Sequence, residues 1–171
     1  MIFNYFQPNL YNLNKDTEIN IHNNIKFWNG KEGEFGNFAK LAKFALENGY
    51  TVDFFYKKHF CPSFMKKNIY KRYMSEYEKY LSIIKSNSCF KLHNRDFSVE
   101  DILTELQKGK LVLVEIKYPD ERTTHNVVVR GFSKSFIFLA DPIKGFIKKS
   151  KSEFGDVIDV AYSKNFISFI K

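Results

Sequence analysis

Thr124-His125-Asn126-Val127-Val128-Val129-Arg130-Gly131, followed by Phe136-Ile137-Phe138-Leu139-Ala140-Asp141-Pro142, is the stretch whose reading decides the fold. Two apolar runs flank a short turn around Ser133, which is a hairpin pattern. A turn centred on Ser133 sets His125 directly opposite Asp141, where Cβ atoms on one face stand about 4.5–5.5 Å apart. The alternation agrees, because Val127, Val129, Ile137 and Leu139 then lie on one side of the two strands. At that distance a carboxylate accepts a hydrogen bond from an imidazole N–H. It holds the ring in one tautomer, ready to deprotonate a nucleophile. The plainer alternative is a His and an Asp that merely end two strands, Asp-Pro being a common start of a turn. A register slip of one residue would also separate the pair.

Working outward, Leu111–Ile116 and Asn165–Ile170 read as further strands, with the hairpin strands at 126–131 and 135–140. Ser98 opens a short helix, with Asp101 placed to reach back to its amide. Ile102, Leu103 and Leu106 form the apolar face of that helix, and Gly109 ends it. Earlier in the chain, 35–48 is amphipathic through Phe38, Leu41, Ala42, Ala45 and Leu46, with Gly49 after it as a C-cap. Residues 50–56 alternate as a strand. Residues 64–84 place Tyr70, Tyr73, Tyr77, Tyr80, Leu81 and Ile84 at helical spacing. Helices are also expected at 1–6, stopped by Pro8, and at 17–27, with Gly30, Gly33 and Gly36 marking a loop. Helices gather first and strands last, so the expected class is α+β: N-terminal helices packed on a C-terminal antiparallel sheet. No repeat or linker splits residues 1–171, which are read as a single domain.

Bulk composition narrows the function. Hydrophobic residues make up 44% of the 171, including 19 Phe, so a disordered chain is excluded. No apolar run approaches the roughly 18 residues of a membrane span, and residues 1–10 lack the features of a secretory signal. A soluble, cytoplasmic protein is expected. Two cysteines, Cys61 and Cys89, make neither a disulfide framework nor a zinc site, and no cofactor or metal is called for. The net charge of +8 raises the question of nucleic acid. The cations are mostly Lys spread along the chain, with Arg only at Arg72, Arg95, Arg122 and Arg130, so a solvated surface is the simpler account.

The His125 segment, Gly131, Phe136-Ile137-Phe138 and Asp141-Pro142 resemble the bacteriocin-processing (double-glycine leader) cysteine peptidases and their stand-alone relatives. Gly145, Ser152-Glu153-Phe154, the glycine-led strand 109–114, and 35–54 with Asn48-Gly49-Tyr50 continue the resemblance. It implies a papain-like fold, a peptide or protein substrate, His125 as general base and Asp141 as the residue that orients it. In that family the nucleophile is a cysteine at the start of the first long helix, with an oxyanion-hole glutamine shortly before it. Residues 1–6 look like the later part of that helix, which sets the expected cysteine ahead of Met1. Gln7 follows the helix and does not match the glutamine.

Cys61 lies beside Pro62 and near His59 but matches no nucleophile turn. Cys89 sits among Ser86, Asn87 and Ser88, and free cysteines are most often inert. His22 and His93 show no partner set and read as surface residues. Three functions compete: a cysteine peptidase whose nucleophile segment precedes Met1, a non-catalytic peptide-binding module on the same fold, and a nucleic-acid binder. The last would lose affinity steeply with salt.

Overall fold

Apolar alternation over the second half of the chain becomes strand in the computed structural model, which describes residues 26–28, 34–57, 66–121, 124–142, 144–161 and 164–171. Among these residues the order is β1 (Lys26–Trp28), β2 (Glu34–Gly36), α1 (Phe38–Glu47), β3 (Thr51–Tyr56), α2 (Lys67–Ile84), β4 (Phe90–His93), α3 (Val99–Gln107) and β5 (Leu111–Ile116). Then follow β6 (His125–Phe132), β7 (Phe136–Asp141), β8 (Gly145–Ser150), α4 (Lys151–Asp159) and β9 (Asn165–Ile170). The class is α+β, as expected. The described chain divides into two units.

The first unit holds β1, β2, α1 and α2. The two short strands pair antiparallel, Lys26 with Gly36 and Trp28 with Glu34. The expected helix at 17–27 is therefore corrected at its described end, since Lys26 and Phe27 are strand; the rest of it lies outside the described residues. The helix expected from 35 begins instead at Phe38. Asn37 caps it, its side-chain oxygen accepting from Ala39 N (3.0 Å) and Lys40 N (3.2 Å), which leaves 34–36 free to pair with β1. α1 buries Phe38, Ala39, Leu41, Ala42 and Ala45. It packs against α2, where Lys40 pairs with Glu76 and stands 5.3 Å from the Tyr80 ring centre.

The second unit is a seven-stranded sheet in the order β4-β3-β9-β5-β6-β7-β8. β9 with β5, β5 with β6, β6 with β7 and β7 with β8 are all antiparallel. The sheet is not purely C-terminal, because β3 and β4 join it from the middle of the chain. Periodicity passed over β4 and β8: Phe90–His93 is very short, and Gly145–Ser150 is an exposed strand with little apolar alternation. α3 and α4 lie on one face. Ile102 and Leu103 from α3, and Phe154, Val157 and Ile158 from α4, cover Val112, Val114, Ile116, Val127, Val129, Ile137, Leu139 and Phe166. Each such aliphatic or aromatic side chain contributes about 1.5–3 kcal/mol on burial.

Reciprocal caps start both helices. Ser98 N donates to Asp101 Oδ2 (2.9 Å), and Ser150 N donates to Glu153 Oε2 (2.8 Å) while Ser150 Oγ accepts from Glu153 N (3.2 Å). Gly109, at φ +77°, turns the chain from α3 straight into β5.

The hairpin register differs from expectation. Ser133 N donates to Phe136 O (2.8 Å) and Ser133 Oγ accepts from Phe136 N (3.2 Å), so the turn closes over 133–136 and centres beyond Ser133. Phe132 consequently faces Ile137 and Gly131 faces Phe138. Past a bulge between Gly131 and Val129, Val129 faces Leu139 and Val128 faces Ala140. His125 is thus not directly opposite Asp141.

Candidate active site

His125 opens β6 and Asp141 closes β7, both where strand gives way to loop. Their contact survives the change of register: His125 Nε2 lies 2.8 Å from Asp141 Oδ2, with the His side chain 13% exposed and that of Asp141 fully buried. Two further donors fix the carboxylate. Tyr118 OH donates to Oδ2 at 2.8 Å, and the Lys144 backbone N–H donates to Oδ1 at 2.9 Å. An ionised carboxylate only accepts, so Nε2 carries the proton of this bond. Nδ1 is then the nitrogen left to act as a base.

Nδ1 meets a second carboxylate, Glu121 Oε2, at 3.3 Å. The other Glu121 oxygen lies 3.2 Å from Lys144 Nζ, which in turn stands 3.3 Å from the centre of the Tyr118 ring. The Tyr118 and His125 rings are 5.3 Å apart and tilted by 44°. Burial, reinforced by the hydrogen bond to the Asp141 carboxylate, holds the Tyr118 phenol well above its usual range, so it remains a donor at neutral pH. The imidazole is therefore bracketed by carboxylates on both nitrogens.

Tyr118, Glu121 and Lys144 were not singled out in the sequence. The first two follow β5, whose last residue Ile116 pairs with His125, so they start out beside the histidine. Of the other residues considered, Gln7, His22, His59 and Cys61 lie outside the described residues, as does the helix expected at 1–6. Cys89 is an exposed free thiol in the turn leading into β4, an edge of the sheet.

His93 is corrected: it is no isolated surface residue. Its Nε2 bonds Asp53 Oδ1 at 2.8 Å, and its ring stacks on Phe55 with centres 4.0 Å apart. Asp53 also pairs with Lys110, which reaches Glu105 Oε2 at 2.6 Å, and Glu105 accepts from Ser168 Oγ at 2.8 Å. Burial alone would raise both carboxyls. The bonds from His93 and Lys110 outweigh it at Asp53, and those from Lys108, Lys110 and Ser168 outweigh it at Glu105, so both sit below their usual range. Burial likewise opposes the Lys110 charge, but Asp53 and Glu105 carry its ammonium above the ordinary lysine value.

The α+β fold thus sets a half-buried histidine against a buried aspartate at one end of two paired strands. A family model described as "Peptidase_C39 like family" matches residues 23–165, and the chain belongs to that family. At the family level its character is that of a cysteine peptidase, a proteolytic hydrolase. No curated protein and no solved structure matches the chain. Among the described residues no helix is long and apolar enough to cross a membrane.

Proposed function

We propose that the chain is a relative of the bacteriocin-processing cysteine peptidases, with residues 1–171 forming one papain-like domain that handles peptides. His125 is the general base and Asp141 the residue that orients it, in peptide-bond hydrolysis or a related acyl transfer. The observation that carries this reading is the 2.8 Å bond between His125 Nε2 and a buried Asp141 carboxylate. The continuous family match from 23 to 165 runs through both units and supports a single domain. In the reaction Nδ1 takes the proton of a cysteine thiol, the thiolate attacks the peptide carbonyl, and the imidazolium gives the proton to the leaving amine. Water, or another acceptor in acyl transfer, then cleaves the thioester and restores the thiol. The test is hydrolysis of a double-glycine peptide by the chain as it occurs in its native source. Cleavage lost in His125→Ala is the expected result; cleavage that persists in this variant sinks the assignment.

One observation favours a second reading, a peptide-binding module without catalysis. Glu121, not a thiol, faces Nδ1 in the described structure. Peptide binding with no turnover, unchanged on replacing His125, would establish that reading instead.

A further inference from the structure

β8 forms one edge of the sheet, and its sequence, Gly145-Phe146-Ile147-Lys148-Lys149-Ser150, contains two lysines and no acid. The backbone pattern says which groups point outward. Lys151 N donates to Ser135 O at 3.1 Å, which makes these two a hydrogen-bonded pair. Such pairs alternate along an antiparallel ladder, so Gly145, Ile147 and Lys149 turn their backbone groups toward β7. Phe146, Lys148 and Ser150 turn theirs away. Ser150 agrees, since its N–H is taken by Glu153 rather than by β7.

The side chains along this edge are complementary to an anionic strand on both faces. On one, Phe146 is 80% exposed and Phe138 41%, and Lys148 stands opposite Phe138 with its ammonium 3.7 Å from the Phe136 ring centre. On the other, Lys149 lies 5.1 Å from the ring of Tyr118, the residue that bonds Asp141. The first residue of β8, Gly145, pairs with Asp141 itself, so the edge leads directly to the candidate dyad.

We propose that β8 is a docking edge for an extended acidic peptide, which adds to the sheet as a further strand. This rests on the reading of the chain as a peptide-handling protein and names the substrate class of that site. Backbone bonds to Phe146 and Lys148 supply affinity. Glutamates facing Lys148 and Lys149, with an aromatic side chain against Phe146 and Phe138, supply selectivity.

The test is fluorescence anisotropy of the full chain with labelled Ser-Glu-Glu-Val-Phe-Gly, which in antiparallel register sets its glutamates opposite Lys149 and Lys148 and its Phe opposite Phe146, against Ser-Lys-Lys-Val-Phe-Gly as the charge-reversed probe. The acidic probe is expected to bind and the basic one not. Lys148→Ala is expected to weaken binding through lost charge. Lys148→Pro, which edge strands accommodate when the N–H faces outward, is expected to weaken it about tenfold more by removing that donor. Circular dichroism verifies that both variants fold. Equal affinity of the Pro and Ala variants, equal binding of the two probes, or no binding overturns the proposal, and the lysines then serve only to guard the edge. A concentration-dependent doubling of mass that Lys148→Pro abolishes would overturn it too, giving the edge to a second copy of the chain. Hydrolysis is read separately: binding without cleavage removes the dyad's catalytic role and leaves docking intact, while cleavage indifferent to Lys148 removes docking alone.

Discussion

His125 reaches Asp141 diagonally across the β6–β7 ladder, and one extra residue in β6 puts the two on the same face. Near the turn Phe132 faces Ile137, and that register carried on unbroken would set Asp141 opposite Val128. His125 would then lie on the other side of the sheet. The bulge between Val129 and Gly131 restores Val129 to Leu139, so that Asp141 lines up with Val127 and His125 follows on the same face. Diagonal neighbours are about 7–8 Å apart at the backbone, within reach of an imidazole and a carboxylate.

The Nε2 bond makes the tautomer of His125 testable. In the wild-type chain the neutral ring is expected to carry its proton on Nε2, seen in imidazole nitrogen chemical shifts. Asp141→Asn can offer an amide N–H instead and should shift the population toward the other tautomer. Where peptide hydrolysis is measurable, it should fall by roughly 10²–10⁴-fold. An unchanged tautomer would mean that Asp141 does not orient the ring.

Tyr118→Phe removes one of the donors to Asp141 Oδ2 without changing the ring. Loss of a bond to a buried charged group should cost about 1.5–3 kcal/mol in urea unfolding. Because the phenol titrates higher in the folded chain than in the unfolded one, its contribution is complete below about pH 10 and lost as pH rises toward the folded value. The ultraviolet difference between wild type and Tyr118→Phe should accordingly show no phenolate appearing near pH 10. A normal titration there would refute the buried bond.

The Asp53–Lys110–Glu105 cluster predicts stability falling at both ends of the pH scale. The carboxyls sit low in the folded chain, so their contribution is present above about pH 4 and fades as pH falls through the folded values. Lys110 sits high, so its part holds below about pH 10.4 and is lost above. Lys110→Met takes the shared cation from the buried Glu105 and the half-buried Asp53 and should cost about 1.5–3 kcal/mol. A loss near zero in chemical unfolding would show that the cluster is not an ion-pair network in solution.

Ser150→Ala removes the acceptor for the Glu153 amide at the start of α4. A loss of about 1 kcal/mol is expected, and the variant should unfold at lower urea with an unchanged slope. No shift in midpoint would mean that the Glu153 side chain alone holds this helix end.

The linear pattern determined much of this molecule. Strand-sized apolar runs placed Leu111–Ile116 and Asn165–Ile170, and alternation placed the hairpin strands to within a residue or two at each end. Helical spacing located the apolar faces of α1, α2 and α3, and Ser98 with Asp101 announced a cap that the structure contains. A turn centred on Ser133, together with parity, proposed His125 and Asp141 as opposed partners; the pairing on one face holds although the centring does not, and family resemblance pointed to the same pair. These features are local: each depends on side chains a few residues apart along one strand or helix.

Only the tertiary structure decided the rest. Alternation specifies a face but not an offset, so the turn at 133–136 and the compensating bulge were invisible to it. Tyr118, Glu121 and Lys144 reach His125 and Asp141 because loops close over the end of the sheet, and Asp53, His93, Lys110 and Glu105 meet across up to 57 residues of chain. Such contacts follow from chain closure and from where a buried charge can find a partner, which no short-range periodicity records.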